Sequence, residues 1–95
     1  EVLNANSTEA ATEKHIPVIE IESNIVHITV GEVLHPMEEA HYIEWIYLET
    51  NKGVKRADLN PGNTPEAYFA LTEGEEIVRA FAYCNLHGLW VKEMK

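Results

Sequence analysis

An all-β fold of about seven short strands is predicted by three features of this sequence. Runs of β-branched and aromatic residues recur along the chain, turn residues separate them, and no apolar period supports a helix longer than a turn or two. Val18-Ile19-Glu20-Ile21 is the first run, and Ser23-Asn24 turns it into Ile25 to Val30. His41 to Thr50, rich in Tyr, Ile and Trp, reads as a third strand. Asn51-Lys52-Gly53 reads as a hairpin loop, with Val54 to Leu59 as the returning partner. Asn60-Pro61-Gly62-Asn63 is a loop, and Ala67 to Leu71, Ile77 to Tyr83 and Leu89 to Met94 complete the set, with Glu73-Gly74-Glu75 as a turn. Short strands at this spacing argue for an immunoglobulin-like Greek-key β-sandwich.

The chain has 95 residues, enough for one small domain with a modest core. Residues 1–12 are small and polar and read as an arm or linker, leaving 13–95 as the folded domain. Glu1 rather than Met opens the chain, so a trimmed product or an excised domain is expected. Sixteen acidic residues against seven basic ones give a formal charge of −9, which disfavours nucleic acid and anionic membranes as partners. No run of about eighteen apolar residues supports a membrane span, and no signal peptide is visible. One cysteine rules out an internal disulfide, fits a reducing cytoplasm and leaves a thiol for chemistry.

That cysteine lies in Ala82-Tyr83-Cys84-Asn85-Leu86-His87-Gly88-Leu89-Trp90, with a histidine three residues on. A soft thiolate beside an imidazole suits a metal, and His15, His35 and His41 sit where they could complete the site. Four imidazoles and one thiolate would suit iron. Such a site imposes geometry. Fully extended, residues 35 and 41 would be roughly 20 Å apart, so the chain must fold back between them. On a strand Cys84 and His87 would face opposite sides, so they must sit on a turn, for which Asn85 and Gly88 are suited. The plainer readings are a lone cysteine as a small buried hydrophobe and loop histidines as surface residues. Met37, Trp45 and Trp90 read as core or pocket wall. His27 alternates with Val26 and Ile28 and reads as a solvated or partner-facing histidine rather than a ligand.

Three segments together resemble the superoxide reductases: Glu13-Lys14-His15-Ile16-Pro17, His35-Pro36-Met37-Glu38-Glu39-Ala40-His41-Tyr42-Ile43-Glu44-Trp45-Ile46, and Cys84 to Trp90. The resemblance is to the catalytic domain of desulfoferrodoxin and to neelaredoxin, over roughly Glu13 to Trp90. It implies an immunoglobulin-like β-sandwich holding one mononuclear iron by His15, His35, His41 and His87 in the equatorial plane and Cys84 axially. It also implies that Glu13 can take the sixth position on ferric iron and that Lys14 is the cation near incoming superoxide. The implied reaction joins superoxide, one electron and two protons to give hydrogen peroxide. The electron would come from a rubredoxin-like donor, and a homo-oligomer is compatible with the family. Desulfoferrodoxins carry an additional N-terminal rubredoxin-like domain with a four-cysteine iron centre. That centre cannot be built in this sequence, where Cys84 is the only cysteine, and residues 1–12 look like the linker that would follow it.

Two further readings belong to other classes. A blue-copper electron carrier is also a β-sandwich with an early His, a late Cys–His pair and a weak axial Met. Here Met94 lies seven residues beyond His87, and four candidate histidines are too many. A metal-free immunoglobulin-like binding module leaves three histidine-bearing motifs unexplained.

Overall fold

A computed structural model of the chain describes residues 15–31 and 33–94. The arm at 1–12, Glu13 and Lys14 lie outside the described residues. Seven strands follow in order: β1 (Pro17–Glu22), β2 (Ile25–Val30), β3 (Ile43–Thr50), β4 (Gly53–Asp58), β5 (Glu66–Ala70), β6 (Ile77–Cys84) and β7 (Gly88–Glu93). They form two antiparallel sheets, β1-β2-β5 and β4-β3-β6-β7. The chain passes from one sheet to the other between β2 and β3, between β4 and β5, and again between β5 and β6. This is the expected Greek-key sandwich.

Alternation along the strands explains the core. Val26, Ile28 and Val30 of β2 face inward with no exposed surface, as do Ile46 and Leu48 of β3 and Ala80 and Ala82 of β6. Each large aliphatic side chain buried in this way contributes about 1.5–3 kcal/mol. Continuing the same period delivers Cys84, the last residue of β6, to the inner face, where it too is fully buried. The metal-competent sulfur is therefore placed by the same two-residue repeat that builds the core.

Strand β3 begins two residues later than expected from the sequence, at Ile43. His41 is held instead in a bridge with Glu38, in which each amide donates to the other's carbonyl at 2.9 Å. The strand also slips against β6 between Ile43 and Trp45. Ile43 and Ile46, three residues apart, would face opposite sides of a regular strand. The irregularity lets both turn inward and be fully buried.

Trp45, expected in the core or a pocket wall, lies instead on the outer face of the four-stranded sheet. It stacks on Tyr83 at 5.5 Å between ring centroids, tilts against Tyr47 at 5.0 Å, and has the Arg56 guanidinium 5.3 Å above it. Regular alternation with the buried Ile46 and Leu48 sets Trp45 and Tyr47 on this outer face. His27 faces outward as expected. Its Nε2 meets Glu66 Oε1 at 2.8 Å, its Nδ1 lies 3.6 Å from Glu20, and its ring stacks on Tyr68 at 4.2 Å.

At the far end of the sandwich from Cys84, Glu75 gathers the β3–β4 and β5–β6 connections. It accepts from Thr50 Oγ1 at 2.6 Å and from the Thr72 amide at 3.0 Å, with Lys55 Nζ at 3.6 Å. The Thr50 hydroxyl, then the Thr72 amide, hold its pKa down to about 2 from an ordinary 4.5. A carboxylate with a depressed folded pKa stabilises the fold above the unfolded value, and that contribution fades as pH falls towards the folded one. Glu75→Gln should therefore melt below wild type at neutral pH, with the gap narrowing between pH 4.5 and about 2. Thermal melts across that range check it, and a gap independent of pH would contradict the role assigned to Glu75.

Candidate metal centre

Four chain segments converge at the Cys84 end of the sandwich, and local structure explains each approach. Gly31, with φ of 88°, turns the chain out of β2 while its amide donates to the Ile16 carbonyl at 3.1 Å. That bond ties the His15 segment to the segment leading to His35, whose own amide donates to Val30 O at 3.2 Å. The stretch from His35 to His41 doubles back through the Glu38–His41 bridge, and the Met37 sulfur accepts the Ile43 amide at 3.3 Å. The fold-back required for both histidines to reach one point is thus present. Residues 85–87 form a turn between β6 and β7, and Gly88 pairs with Cys84 at φ 84°, a left-handed conformation that favours glycine. His87 is thereby brought back beside Cys84.

One potential ligand atom from each of His15, His35, His41 and Cys84 lies within 4.8 Å of all the others. His87 joins this group: its Nδ1 is 3.1 Å from His15 Nε2 and 3.9 Å from Cys84 Sγ. His35 Nε2 is 3.2 Å from His15 Nε2 and 3.3 Å from the sulfur. His15 and His35 are buried, and so is the Nε2 atom of His41. Adjacent donors on one ion, at about 2.1 Å for nitrogen and 2.3 Å for sulfur, stand about 3 Å apart at right angles. The observed separations fit a shared metal, and the chemistry of the donor set does too.

Hydrogen bonding and burial prepare these donors. The Pro36 carbonyl can only accept, so its 2.7 Å contact puts a proton on His35 Nδ1 and aims the Nε2 lone pair at the cluster. Burial, opposed by that bond and reinforced by the neighbouring imidazoles, lowers the His35 pKa to about 4, so the ring is neutral at pH 7. Burial raises the Cys84 thiol, while hydrogen bonds from the Leu86 and His87 amides draw it down and the charge of Glu44 raises it slightly. Of the amides in this turn, those of Leu86 and His87 reach the sulfur, while the Asn85 amide goes to the Tyr42 carbonyl at 3.2 Å.

Trp90, expected as core or pocket wall, is fully buried and stacks on His15 at 4.7 Å, and its Nε1 donates to the His87 carbonyl at 3.2 Å. It steadies two of the five donor residues. What the sequence reading missed is the Asn85 side chain. Its Oδ1 accepts from the Tyr42 amide and its Nδ2 donates to the Ala40 carbonyl, on either side of His41. A short polar residue directly after the cysteine was the available signal. His27 lies outside the cluster, on the outer face of the other sheet. Met94, the axial ligand a blue-copper site would need, is 42% exposed just past the end of β7, six residues beyond the Gly88 that pairs with Cys84. The blue-copper reading is not favoured. Among the described residues no helix is long and apolar enough to cross a membrane.

The comparisons with known proteins agree. The family profile for desulfoferrodoxin matches residues 7–93. A desulfoferrodoxin of Syntrophotalea carbinolica is 51% identical over 92 residues, covering 97% of this chain and 71% of that relative. A superoxide reductase of Pyrococcus horikoshii is 36% identical over 100 residues, covering 87% of each chain. The crystal structure of the superoxide reductase from Treponema pallidum superposes with a TM-score of 0.92 at 42% identity, covering 96% of this chain and 75% of that one.

Two substitutions test the cluster. His41→Ala should weaken zinc binding by the metal-free chain about tenfold or more, while His27→Ala should leave it unchanged. Competition titrations give the answer, and the reverse order of effects would remove His41 from the donor set.

Proposed function

The chain belongs to the desulfoferrodoxin family, and from that premise we propose that it is a superoxide reductase working at a single mononuclear iron. The observation that carries this reading is the meeting of His15, His35, His41 and Cys84 within 4.8 Å, with His87 at their edge. Four imidazoles and one thiolate suit iron in a reducing compartment better than a hard cation. When bound, iron supplies a one-electron couple and a position for a small anionic substrate.

The chain's own residues supply the rest. His15, His35, His41 and His87 would hold the metal through neutral nitrogens, and Cys84 through its thiolate. Uptake of metal releases the thiol proton that burial favours. The amides of Leu86 and His87 temper the sulfur's electron donation. Glu13 and Lys14 precede His15 directly in sequence. Glu13 is assigned to product release and Lys14 to attracting the substrate. The overall step, superoxide plus one electron plus two protons giving hydrogen peroxide, is balanced when a rubredoxin-like protein donates the electron. A cytoplasmic setting, where a lone thiol stays reduced, suits this chemistry.

Lys14 answers an electrostatic conflict. A chain of charge −9 repels an anion at long range, but salt screens charges beyond roughly 8 Å. A cation beside the site can then dominate the local field. Lys14→Ala should slow superoxide capture at low salt by about tenfold or more. Pulse radiolysis measures it, and capture at the wild-type rate would remove the steering role. Glu13→Ala should leave capture nearly unchanged and alter the spectrum of the oxidised centre.

The function itself is tested on protein from its native host. One iron per chain is expected, with one hydrogen peroxide formed per superoxide consumed when a reduced donor is present. Stoichiometric copper or zinc without iron would overturn the reading. Cys84→Ser should abolish turnover, because a hydroxyl does not replace the thiolate.

A further inference from the structure

We infer that Asn85 is a positioning residue for the metal centre, its side chain joining the backbone on both sides of His41 to the turn that carries Cys84 and His87. This rests on reading the cluster as a metal site. Three hydrogen bonds make the join. The Asn85 amide donates to the Tyr42 carbonyl at 3.2 Å, the Tyr42 amide donates to Asn85 Oδ1 at 2.9 Å, and Asn85 Nδ2 donates to the Ala40 carbonyl at 3.1 Å. His41 sits between the two residues that are held.

The pattern is that of a sheet ladder finished by a side chain. Ile43 and Cys84 are the last pair of β3 and β6. Were the strands to continue, Tyr42 and Asn85 would exchange two backbone hydrogen bonds. Only one of these is made by the Asn85 backbone. The other, from the Tyr42 amide, is accepted by its side chain. The backbone is therefore free to turn after the Asn85 nitrogen, with no amide left unsatisfied at Tyr42. That turn is what directs the Leu86 and His87 amides at the Cys84 sulfur. One side chain thus fixes His41 against Cys84 and permits the sulfur's own hydrogen bonds.

The residue type follows from these demands. The side chain must accept from one backbone group and donate to another within a short reach. Aspartate has no donor for the Ala40 carbonyl, serine is too short, and glutamine carries the amide one methylene too far.

Cobalt(II) titration of the full-length, metal-free chain tests the role, because a thiolate–cobalt charge-transfer band reports the geometry at sulfur independently of turnover. Asn85→Ala should weaken cobalt binding by about ten- to a hundredfold, the range for residues that orient metal ligands, and shift that band. Thr50→Ala serves as the control. It removes a buried hydroxyl at the opposite end of β3 and should lower the melting temperature with affinity and band unchanged. Asn85→Ala binding within about twofold of wild type with an unmoved band, or Thr50→Ala weakening binding as much, would overturn the role. Should Asn85→Ala not fold, Asn85→Asp keeps the acceptor for Tyr42 and loses the donor to Ala40. It should then bind about threefold or more weakly, and wild-type affinity and band in it would overturn the role equally. A wild-type chain without any thiolate–cobalt band would instead sink the metal-centre reading on which this rests.

Discussion

Everything at the Cys84 end of this sandwich answers one constraint: five donor side chains from segments up to 72 residues apart must meet with their lone pairs a few ångströms from one another. Bringing polar ligand atoms together away from water is costly unless they share partners, and one cation would serve all of them. The fold holds them there by spending rigid structure on each approach. Alternation along β6, paired on both edges, fixes Cys84, a glycine turn returns His87, a bridge of two hydrogen bonds bends the His35–His41 segment, and Gly31 ties in the segment of His15.

Preparation of the donors is as local as their placement. The proton on His35 is fixed by the carbonyl of the next residue, which leaves the inner nitrogen as an acceptor. Trp90 packs flat against His15 and anchors the backbone of His87 with the same ring system. The sulfur sits between opposing influences, with burial favouring the thiol and two amides favouring the thiolate. A metal entering this site meets donors whose orientation has already been set, so little ordering remains for the binding event.

Much of this was readable from residues, and the exceptions have physical causes. The strand runs, their turns and the sandwich topology follow from β-branched runs punctuated by Asn, Gly and Ser. The demand that His35 and His41 fold back follows from chain geometry alone. The start of β3 differs from expectation because Tyr42 favours a strand and continues the run, yet His41 is committed to the Glu38 bridge. Aromatic residues usually bury, which argues for Trp45 inside. Alternation with the buried Ile46 and Leu48 puts it on the outer face, and a register slip, invisible in composition, lets Ile43 turn inward as well. Which turn amides reach the sulfur depends on where the Asn85 nitrogen points, and no spacing rule states that. The roles given to Glu13 and Lys14 rest on family resemblance and lie outside the described residues.

The slip between Ile43 and Trp45 has a consequence for how this chain can change its length over evolutionary time. Strand phase has a period of two, so one residue gained or lost within β3 or β6 would exchange inward and outward positions up to the next irregularity. Such a change in β6 would carry the Cys84 sulfur to the outer face, and in β3 it would undo the inward turn of Ile43 opposite it. The connections at Asn60–Asn63 and Glu73–Gly74 are exposed and lie outside both strands, and there an inserted residue leaves the phase of the sulfur unchanged. Heritable length variation should therefore collect in those loops, while the span from Tyr42 to Thr50 and from Ile77 to Gly88 stays constant in count even where its side chains drift.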